Sequence, residues 1–262
     1  MDSSAVLNDL VELSRQVGRP ENDLVILAEG NTSARCGDRF WVKASGKRLH
    51  EIHVGGFVEV WLQPVLDLFD QQLEDAAVKQ ALQAARVDPD QPLMPSIETF
   101  MHADLLSLPE VEVVIHTHPT ILNGLLTVQG AEEWASWRLF PDEVVLCGPA
   151  TCWVPYADPG MPLSRAIRTS VRQFIAERGE VPKVLWLANH GLITLGRNGP
   201  EAWSATWMAV KAARILAGAL ATGRPPARLT DEEIDRIHTR PDEHYRQRLL
   251  WETQSNISTP ST

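Results

Sequence analysis

The stretch that decides the fold reads VEVVIHTH and occupies residues 111–118. Its apolar first half predicts a buried β-strand, and side chains along a strand alternate between its two faces with a period of two. His116 and His118 are therefore expected to point to the same side at the end of that strand. A second strand, predicted from Lys183 to Ala188, ends two residues before His190. The pattern predicts that two strand ends bring three imidazoles together.

Three imidazoles at one place are a ligand set for a metal ion. Neutral histidine nitrogens that leave a fourth position open are typical of catalytic zinc sites, whereas structural zinc sites are closed by four protein ligands. A bare His-X-His pair is more often two unrelated histidines. The third histidine at a strand end, and Glu98 between loops of small residues, favour the metal site over that simpler interpretation. We therefore expect His116, His118 and His190 to bind Zn2+ or another divalent metal ion.

Length and composition are those of a globular protein. The chain has 262 residues, of which 44% are hydrophobic, enough for a sizeable core. A net charge of −10 argues against a nucleic-acid partner, because phosphate binding relies on lysine and arginine. The sequence has no apolar run that could span a bilayer, no visible signal peptide, and no metal spacing among its three cysteines. We expect a cytoplasmic protein with no membrane partner.

Helices and strands are expected to alternate along the chain. Predicted helices cover residues 5–17, 73–86, 119–128, 163–176 and 200–221, and a capping box opens another helix at Thr230. Predicted strands cover residues 24–27, 40–43, 56–62, 111–118, 143–147, 151–154, 183–188 and 192–195. Ser96 is expected to cap a helix that runs to Leu106, and residues 29–33 are expected to form a loop. This order favours an α/β fold with helices on both sides of a central sheet.

Three loops of small residues are expected to matter for function. They are Gly30-Asn31-Thr32-Ser33, Ala44-Ser45-Gly46 and Pro95-Ser96. Backbone N–H groups at such turns, together with hydroxyl and amide side chains, can form a nest that holds phosphate. Lys43, Lys47 and Arg48 add positive charge nearby. One such loop alone is an ordinary turn, but three of them ahead of the metal motif favour phosphate binding.

Taken in order, these segments resemble the signatures of the class II aldolase/adducin family. The resemblance covers Leu24 to Gly223, and the part from 64 to 99 is most similar to the aldolase part of rhamnulose-1-phosphate aldolase/dehydrogenase fusions, without their dehydrogenase part. It implies a single three-layer α/β/α domain whose central, largely antiparallel sheet is flanked by helices. It implies a catalytic domain over residues 1–223, followed by C-terminal helices and a tail over 224–262. The implied assembly is a homo-oligomer, expected to be a tetramer, with sites near the subunit interfaces.

The resemblance also implies roles for individual residues. The family's metal ligands fall on His116, His118 and His190, and its catalytic carboxylate falls on Glu98. Its phosphate-binding residues fall on Asn31, Ser45, Gly46 and Ser96. Where sugar-phosphate aldolases of the family have two serines before the glutamate, this chain has Ser96-Ile97.

The general acid is the one role that the resemblance leaves open. In sugar-phosphate aldolases of the family, a tyrosine from the adjacent subunit protonates the aldehyde oxygen. This chain has only Tyr156 and Tyr245, and neither lies on a segment that matches the family.

These roles imply a zinc-dependent class II aldolase. Its substrate would be a ketose 1-phosphate of the rhamnulose or fuculose type, cleaved to dihydroxyacetone phosphate and a short aldehyde through a metal-stabilised enediolate. Glu98 would transfer the proton, with a pKa raised by burial. His102, four residues later on the same helix face, is expected to pack rather than to contact that carboxylate.

Three other functions remain open at this point. The first is a related zinc lyase, either a decarboxylase of a 3-oxo acid or a sugar-phosphate 4-epimerase, which would use the same enediolate chemistry. The second is an adducin-like structural protein that keeps the fold without the metal, and the retained histidines and Glu98 argue against it. The third is an inactive metal-binding module that regulates a partner.

Overall fold

The structure is a computed structural model and describes residues 2–71 and 75–240. Seven strands form one sheet: β1 (Asn31–Cys36), β2 (Arg39–Lys43), β3 (Phe57–Trp61), β4 (Val113–Thr117), β5 (Cys152–Val154), β6 (Val184–Leu187) and β7 (Gly191–Gly196). Their order across the sheet is β3-β2-β1-β4-β7-β6-β5. Every neighbouring pair is antiparallel except β5 and β6, which are parallel. The largely antiparallel central sheet is thereby confirmed.

Helices cover both faces of this sheet. The α-helices are α1 (Ser3–Val17), α2 (Leu62–Leu66), α3 (Asp75–Ala84), α4 (Thr99–Leu106), α5 (Thr120–Leu126), α6 (Glu132–Ala135), α7 (Pro141–Cys147), α8 (Met161–Arg178), α9 (Gly199–Leu220) and α10 (Asp231–His238). Helices α1, α5 and α9 pack on one face, and α2, α4 and α8 pack on the other. Among the described residues, every helix is too short or too polar to cross a membrane.

The central strand β4 explains the three layers. Val114 packs into the core on the side of α4 and α8, whereas Val113 and Ile115 pack into the core on the side of α1 and α9. Every residue of β4 is buried. A strand buried on both faces needs helices on both sides of the sheet. Because His116 comes two residues after Val114, its side chain lies on the face that α4 covers.

Helix α10 begins at the predicted capping box. The Thr230 hydroxyl accepts a hydrogen bond from Glu233 N, and the Glu233 side chain accepts one from Thr230 N. The helix packs on α7 through Ile234 and Ile237. The boundary at residue 223 between a catalytic domain and a C-terminal segment stays a prediction, and residues 241–262 of that segment lie outside the described part of the chain.

The predicted loop over residues 29–33 is wrong, because strand β1 begins at Asn31. Polar side chains suggested a turn, but two of them find buried partners on opposite faces of the strand. The Thr32 hydroxyl lies 2.6 Å from the Ser14 hydroxyl of α1. The Ser33 hydroxyl lies 2.7 Å from Nδ1 of His102 on α4. Partners distant in sequence therefore make a polar segment compatible with a buried strand.

Two predicted strands are also wrong. Residues 24–27 form a bend and turn in which Leu24 is buried, Ile26 and Leu27 are exposed, and Leu27 has a φ of 52°. Residues 143–147 belong to helix α7. Their β-branched valines favour a strand, but Pro141 in the first helical turn and the acidic residues after it are signals of a helix start.

The predicted helix cap at Ser96 is wrong by two residues. Helix α4 begins at Thr99, and Glu98 is its N-cap residue. The Ser96 hydroxyl instead accepts a hydrogen bond of 3.3 Å from Glu98 N, which orders the turn before the helix. The helix predicted over 73–86 corresponds to α3, and Leu73 lies outside the described residues.

Gly191 lets β7 approach β4 at the end of the sheet where the histidines lie. A Cβ at this position would lie 2.4 Å from the carbonyl oxygen of Thr117 and 2.8 Å from Cδ2 of His118. Because the Thr117 carbonyl oxygen can move only if the backbone of β4 moves with it, we expect Gly191→Ala to lower the free energy of unfolding by about 1–3 kcal/mol, measured by urea denaturation.

The matched control is Gly124→Ala in α5, where a Cβ would meet open space. Alanine is favoured over glycine in a helix by about 1 kcal/mol, so this variant is expected to be at least as stable as the wild type. Equal stability of the two variants would contradict the close approach at Gly191.

Candidate functional site

Three histidine side chains meet at one end of the sheet. The ring centroids of His116, His118 and His190 are 4.8, 5.1 and 5.0 Å apart in pairs. One ring nitrogen from each lies within 4.8 Å of the others, and no second group of this kind occurs among the described residues. His116 is fully buried, whereas His118 and His190 are partly exposed. The side chains that the sequence singled out are thus close together, and one side of the cluster is open.

Backbone contacts fix where each imidazole lies. His116 Nδ1 is 3.0 Å from the carbonyl oxygen of Leu192 in β7, so this nitrogen donates its proton there and Nε2 keeps a lone pair for the cluster. His118 N donates to the Leu24 carbonyl at 2.8 Å. His190 follows Asn189, whose φ of 54° allows the tight turn between β6 and β7.

The Glu98 carboxylate faces the same point as the histidines. Its Oε1 lies 3.5 Å from His116 Nε2 and 3.6 Å from His190 Nε2. Its Oε2 accepts a hydrogen bond from the amide Nδ2 of Asn31. Asn31 is paired directly with His116 across β1 and β4. The sheet register therefore places an amide, an imidazole and a carboxylate together.

The electrostatics of Glu98 differ from the sequence-based expectation. Burial on its own raises the pKa of this carboxyl, but the charge and hydrogen bond of His116, and the charges of His190 and His102, outweigh it and lower the pKa to about 2. Burial, with a contribution from His116, lowers the pKa of His118 to about 3 and that of His190 to about 4. At neutral pH the carboxylate is therefore ionised, and the imidazoles of His118 and His190 are neutral.

This donor set fits a divalent metal ion. Neutral imidazoles and carboxylates are ligands of zinc, and ligands at its usual distance in a tetrahedral site lie about 3.4 Å from one another. The Nε2 atoms of His116 and His118 are 3.0 Å apart, and Glu98 Oε1 lies 3.5 and 3.6 Å from two imidazoles. The spacing accommodates an ion held by three histidines, with Glu98 near the fourth corner.

Two of the three segments of small residues, Ala44-Ser45-Gly46 and Pro95-Ser96, lie side by side as loops, whereas most of the third belongs to β1. Ala44 forms an isolated β-bridge with Pro95, and Ser45 N donates to the Met94 carbonyl at 2.9 Å. Lys43 joins two of the loops, because its Nζ donates to the carbonyl oxygens of Ala28 and Lys47, both at 2.7 Å. The packing thus assembles segments that are far apart in the chain.

The sequence predicts only that Lys43 adds positive charge near the loops, but in the structure this side chain is buried. Its exposed fraction is 2%. Burial lowers the pKa of the ammonium to about 8, while the Glu98 carboxylate acts in the opposite direction. At neutral pH the group is an ammonium that places positive charge near the Glu98 carboxylate and beside the loops.

The expected phosphate-binding residues occupy two different depths. Ser45 and Gly46 are exposed, Ser96 is half-buried, and the bridge between their loops makes them neighbours. Gly46 has a φ of +74° and lines a cleft of about 300 Å³ with Lys47. Asn31, in contrast, is buried and donates its amide to Glu98. The roles of these four residues stay predictions.

The His102 ring makes a polar contact that packing alone would not require. It is fully buried on α4, and its Nδ1 lies 2.7 Å from the Ser33 hydroxyl. Its Nε2 is buried with no hydrogen-bond partner. Burial, with the charge of His116, lowers the pKa of His102 to about 3. Leaving a buried polar atom unpaired costs about 1–3 kcal/mol, so this nitrogen is a notable feature of the site.

A cleft of about 450 Å³ lies at the opposite end of the sheet. It is lined by residues at the start of β4 and the end of β7, and by charged side chains. Lys183 lies 3.6 Å from Glu201, and His238 lies 3.1 Å from Glu180. These four side chains are paired with one another, and no cluster of metal ligands occurs there among the described residues. The group of potential metal ligands therefore lies at the histidine end of the sheet and not in this larger cleft.

Comparison of the sequence with known families and proteins gives two findings. Residues 8–217 match the model of the family described as Class II Aldolase and Adducin N-terminal domain. The chain is 28% identical over 187 residues to a Bacillus subtilis (strain 168) protein named Uncharacterized oxidoreductase YuxG. That match covers 68% of this chain and 24% of the other protein, so the chain spans about a quarter of the length of this curated relative.

Solved structures have the same fold. The N-terminal class II aldolase domain of a conserved protein from Thermoplasma acidophilum is 25% identical, with a TM-score of 0.66 over 83% of this chain and 95% of that one. An L-fuculose 1-phosphate aldolase is 19% identical, with a TM-score of 0.68 over 91% of this chain and 96% of that one. The second likeness shows the fold alone. The closer similarity to rhamnulose-1-phosphate aldolase/dehydrogenase fusions is not confirmed by these matches.

Proposed function

Because this chain belongs to the class II aldolase and adducin family, we propose that it is a metal-dependent aldolase acting on a phosphorylated ketose. The observation that carries the proposal is the group of three imidazoles facing one ionised carboxylate, with Lys43 and the small-residue loops beside them. The proposed substrate is a ketose 1-phosphate of the rhamnulose or fuculose type. The proposed products are dihydroxyacetone phosphate and a short aldehyde. The fold that the chain has in common with an L-fuculose 1-phosphate aldolase supports this choice.

We assign His116, His118 and His190 as ligands of Zn2+ or another divalent ion. Bound there, the ion would act as a Lewis acid that polarises the ketone and stabilises the negative charge formed on cleavage. Three neutral imidazoles leave the double positive charge of such an ion intact. The Leu192 carbonyl holds His116 in the tautomer whose Nε2 can bind a metal.

Cleavage of a ketose 1-phosphate requires proton movement as well as charge stabilisation. The bond between C3 and C4 breaks, its electron pair stays on C3 of the three-carbon half as an enediolate, and the C4 hydroxyl loses its proton to become an aldehyde. The proposed acid is Glu98, which is protonated from solvent and delivers this proton to C3, while the C4 hydroxyl gives its proton to a second group that is not assigned. A substrate that separates Glu98 from His116 and His190 removes the contacts that lower its pKa, and burial then raises its basicity.

The proposed phosphate site comprises the expected residues Asn31, Ser45, Gly46 and Ser96. Ser45, Gly46 and Ser96 lie on adjoining loops that offer hydroxyl and backbone N–H donors. The buried ammonium of Lys43 holds two of the loops and adds positive charge. Fixing the phosphate would set the position of the reacting carbons relative to Glu98.

The proposed assembly is a homo-oligomer, a tetramer by analogy with the family, in the cytoplasm. A group that protonates the aldehyde oxygen in the direction of synthesis is not assigned. Tyr156 is exposed and donates its hydroxyl to Asp158 at 3.0 Å, and Tyr245 lies outside the described residues. A neighbouring subunit is the proposed source of this group.

A second candidate is a related metal-dependent lyase, either a decarboxylase of a 3-oxo acid or a sugar-phosphate 4-epimerase. Ile97 favours it, because this side chain is 50% exposed where sugar-phosphate aldolases have a serine. The phosphate site therefore has fewer hydroxyl donors. The metal ligands and Glu98 would keep the same roles in both candidates.

The purified protein is expected to contain about one zinc or similar divalent ion per chain. Elemental analysis should show that His116→Ala loses most of this metal, since two imidazoles cannot complete the site. His238→Ala is the matched control, because His238 lies on α10 and contacts Glu180 instead of the cluster. Undiminished metal in His116→Ala would contradict the ligand assignment.

Glu98→Gln is expected to remove the base while preserving the fold. In D2O, the zinc-loaded wild type should exchange a carbon-bound hydrogen of dihydroxyacetone phosphate for deuterium, followed by NMR. The variant should do so about 10²–10⁴-fold more slowly, with unchanged metal content and melting temperature. The control is Glu29→Gln, whose carboxylate lies 3.7 Å from His118 Nδ1 and accepts a hydrogen bond from Ile26 N. A large loss of stability with retained exchange would show that Glu98 is structural.

Product analysis decides the substrate class. Zinc-loaded protein incubated with rhamnulose 1-phosphate and fuculose 1-phosphate is expected to release dihydroxyacetone phosphate. Ser45→Ala should raise KM for the accepted ketose phosphate far more than for its dephosphorylated form, because a phosphate contact is lost. Release of CO2 from 3-oxo acids without dihydroxyacetone phosphate from the ketoses would replace the aldolase with the decarboxylase.

A further inference from the structure

The two ring nitrogens of His102 have unequal surroundings. Within residues 2–71 and 75–240, Nδ1 has one hydrogen-bond partner, the Ser33 hydroxyl at 2.7 Å, and Nε2 has none. Both residues are completely buried between β1 and α4, so bulk water does not reach either group. A purely space-filling residue at this position would be apolar, like most of the α4 side chains around it.

The contact with Ser33 selects the tautomer of His102. A neutral imidazole has one donor and one acceptor nitrogen, and the serine hydroxyl proton needs an acceptor. Among the described residues, Nδ1 is the only hydrogen-bond partner of the Ser33 hydroxyl. The arrangement in which the hydroxyl donates and Nδ1 accepts leaves fewer buried groups unpaired than the reverse one, so we infer the former. The proton of the ring is then on Nε2. This nitrogen is a buried donor without an acceptor.

Glu98, one helical turn before His102, is the carboxylate with which this imidazole interacts electrostatically among the described residues. His102 N donates to the Glu98 carbonyl at 3.3 Å, and side chains four residues apart lie on the same face of a helix. Asn31 and Ser33 lie on one face of β1, two residues apart, and hold Glu98 and His102 respectively. Strand β1 therefore contacts both Glu98 and His102 along one side of α4.

We propose that His102 is a positioning residue that donates a hydrogen bond from Nε2 to the Glu98 carboxylate during turnover. The proposal rests on the proposed function of Glu98. In the present arrangement Oε1 faces His116 and His190. A substrate that enters between them displaces the carboxylate, and the Nε2 proton of His102 then holds it in a defined second position. The base stays ordered in the step in which it transfers a proton.

Two amide variants at position 102 separate the two nitrogens. In His102→Asn the side-chain amide lies near the former Nδ1, so contact with Ser33 is kept and the donor toward Glu98 is lost. In His102→Gln the longer side chain places an amide donor near the former Nε2. We expect His102→Asn to lower kcat for hydrogen exchange of dihydroxyacetone phosphate by about 10- to 100-fold with little change in KM. His102→Gln should restore most of the rate, and both should retain metal.

NMR provides a readout that does not depend on activity. In zinc-loaded protein with ¹⁵N-labelled histidine, His102 is expected to have a protonated Nε2 and an unprotonated Nδ1. Saturation with dihydroxyacetone phosphate should move the Nε2 proton downfield, and this shift should be absent in Glu98→Gln. A proton on Nδ1, or a shift that is the same in Glu98→Gln, would overturn the proposal.

The outcomes distinguish this proposal from the function on which it rests. If His102→Asn and His102→Gln both match the wild type, or both lose the same activity, His102 only packs and the proposal is wrong. If the wild type binds zinc but neither exchanges nor cleaves any ketose phosphate, the aldolase is wrong. The tautomer, measured in the same samples, still decides whether His102 has the geometry that positioning requires.

Discussion

The pairing of β4 with β1 on one side and β7 on the other is the constraint on which the site depends. His116 lies opposite Asn31 in one register and opposite Ile193 in the other. The first register puts the Asn31 amide beside Glu98, and the second brings the Leu192 carbonyl to His116 Nδ1. A slip by one residue would turn each of these side chains to the other face of the sheet. Burial of β4 on both faces prevents such a slip, so core packing fixes the geometry of the polar site.

Charge balance is the second requirement of this arrangement. A buried carboxylate is unfavourable unless opposite charge or hydrogen bonds compensate it. Glu98 is compensated by the hydrogen bond from the Asn31 amide and by the ammonium of Lys43. Lys43 is compensated in turn by two loop carbonyls. The loops expected to hold phosphate are thus ordered by the same charges that surround the base, and binding at one place alters the electrostatics of the other.

Short sequence patterns predicted those elements whose formation depends on residues close together in the chain. The apolar run before His116 gave a central strand, and the capping box at Thr230 gave a helix start. Strand β1 was missed because Ser33 and its neighbours are satisfied by partners in α1 and α4, which no short window reveals. The buried states of Lys43 and His102, and the low pKa of Glu98, were missed for the same reason. They result from contacts between segments that only the folded chain brings together.

Four of the seven buried side-chain polar atoms that lack a hydrogen-bond partner within the described part of the chain lie beside the proposed site. Asn31 Oδ1, Thr99 Oγ1, His102 Nε2 and Thr117 Oγ1 are all buried and unpaired, and each belongs to a segment that carries a proposed ligand or base. Folding normally pairs such atoms, because an unpaired one lowers stability. Each of these four atoms lowers the stability of the free chain through its missing hydrogen bond. A site that binds a charged substrate and transfers protons needs hydrogen-bond donors and acceptors that are not already paired. The apolar core around β4 offsets the stability lost through these unpaired atoms.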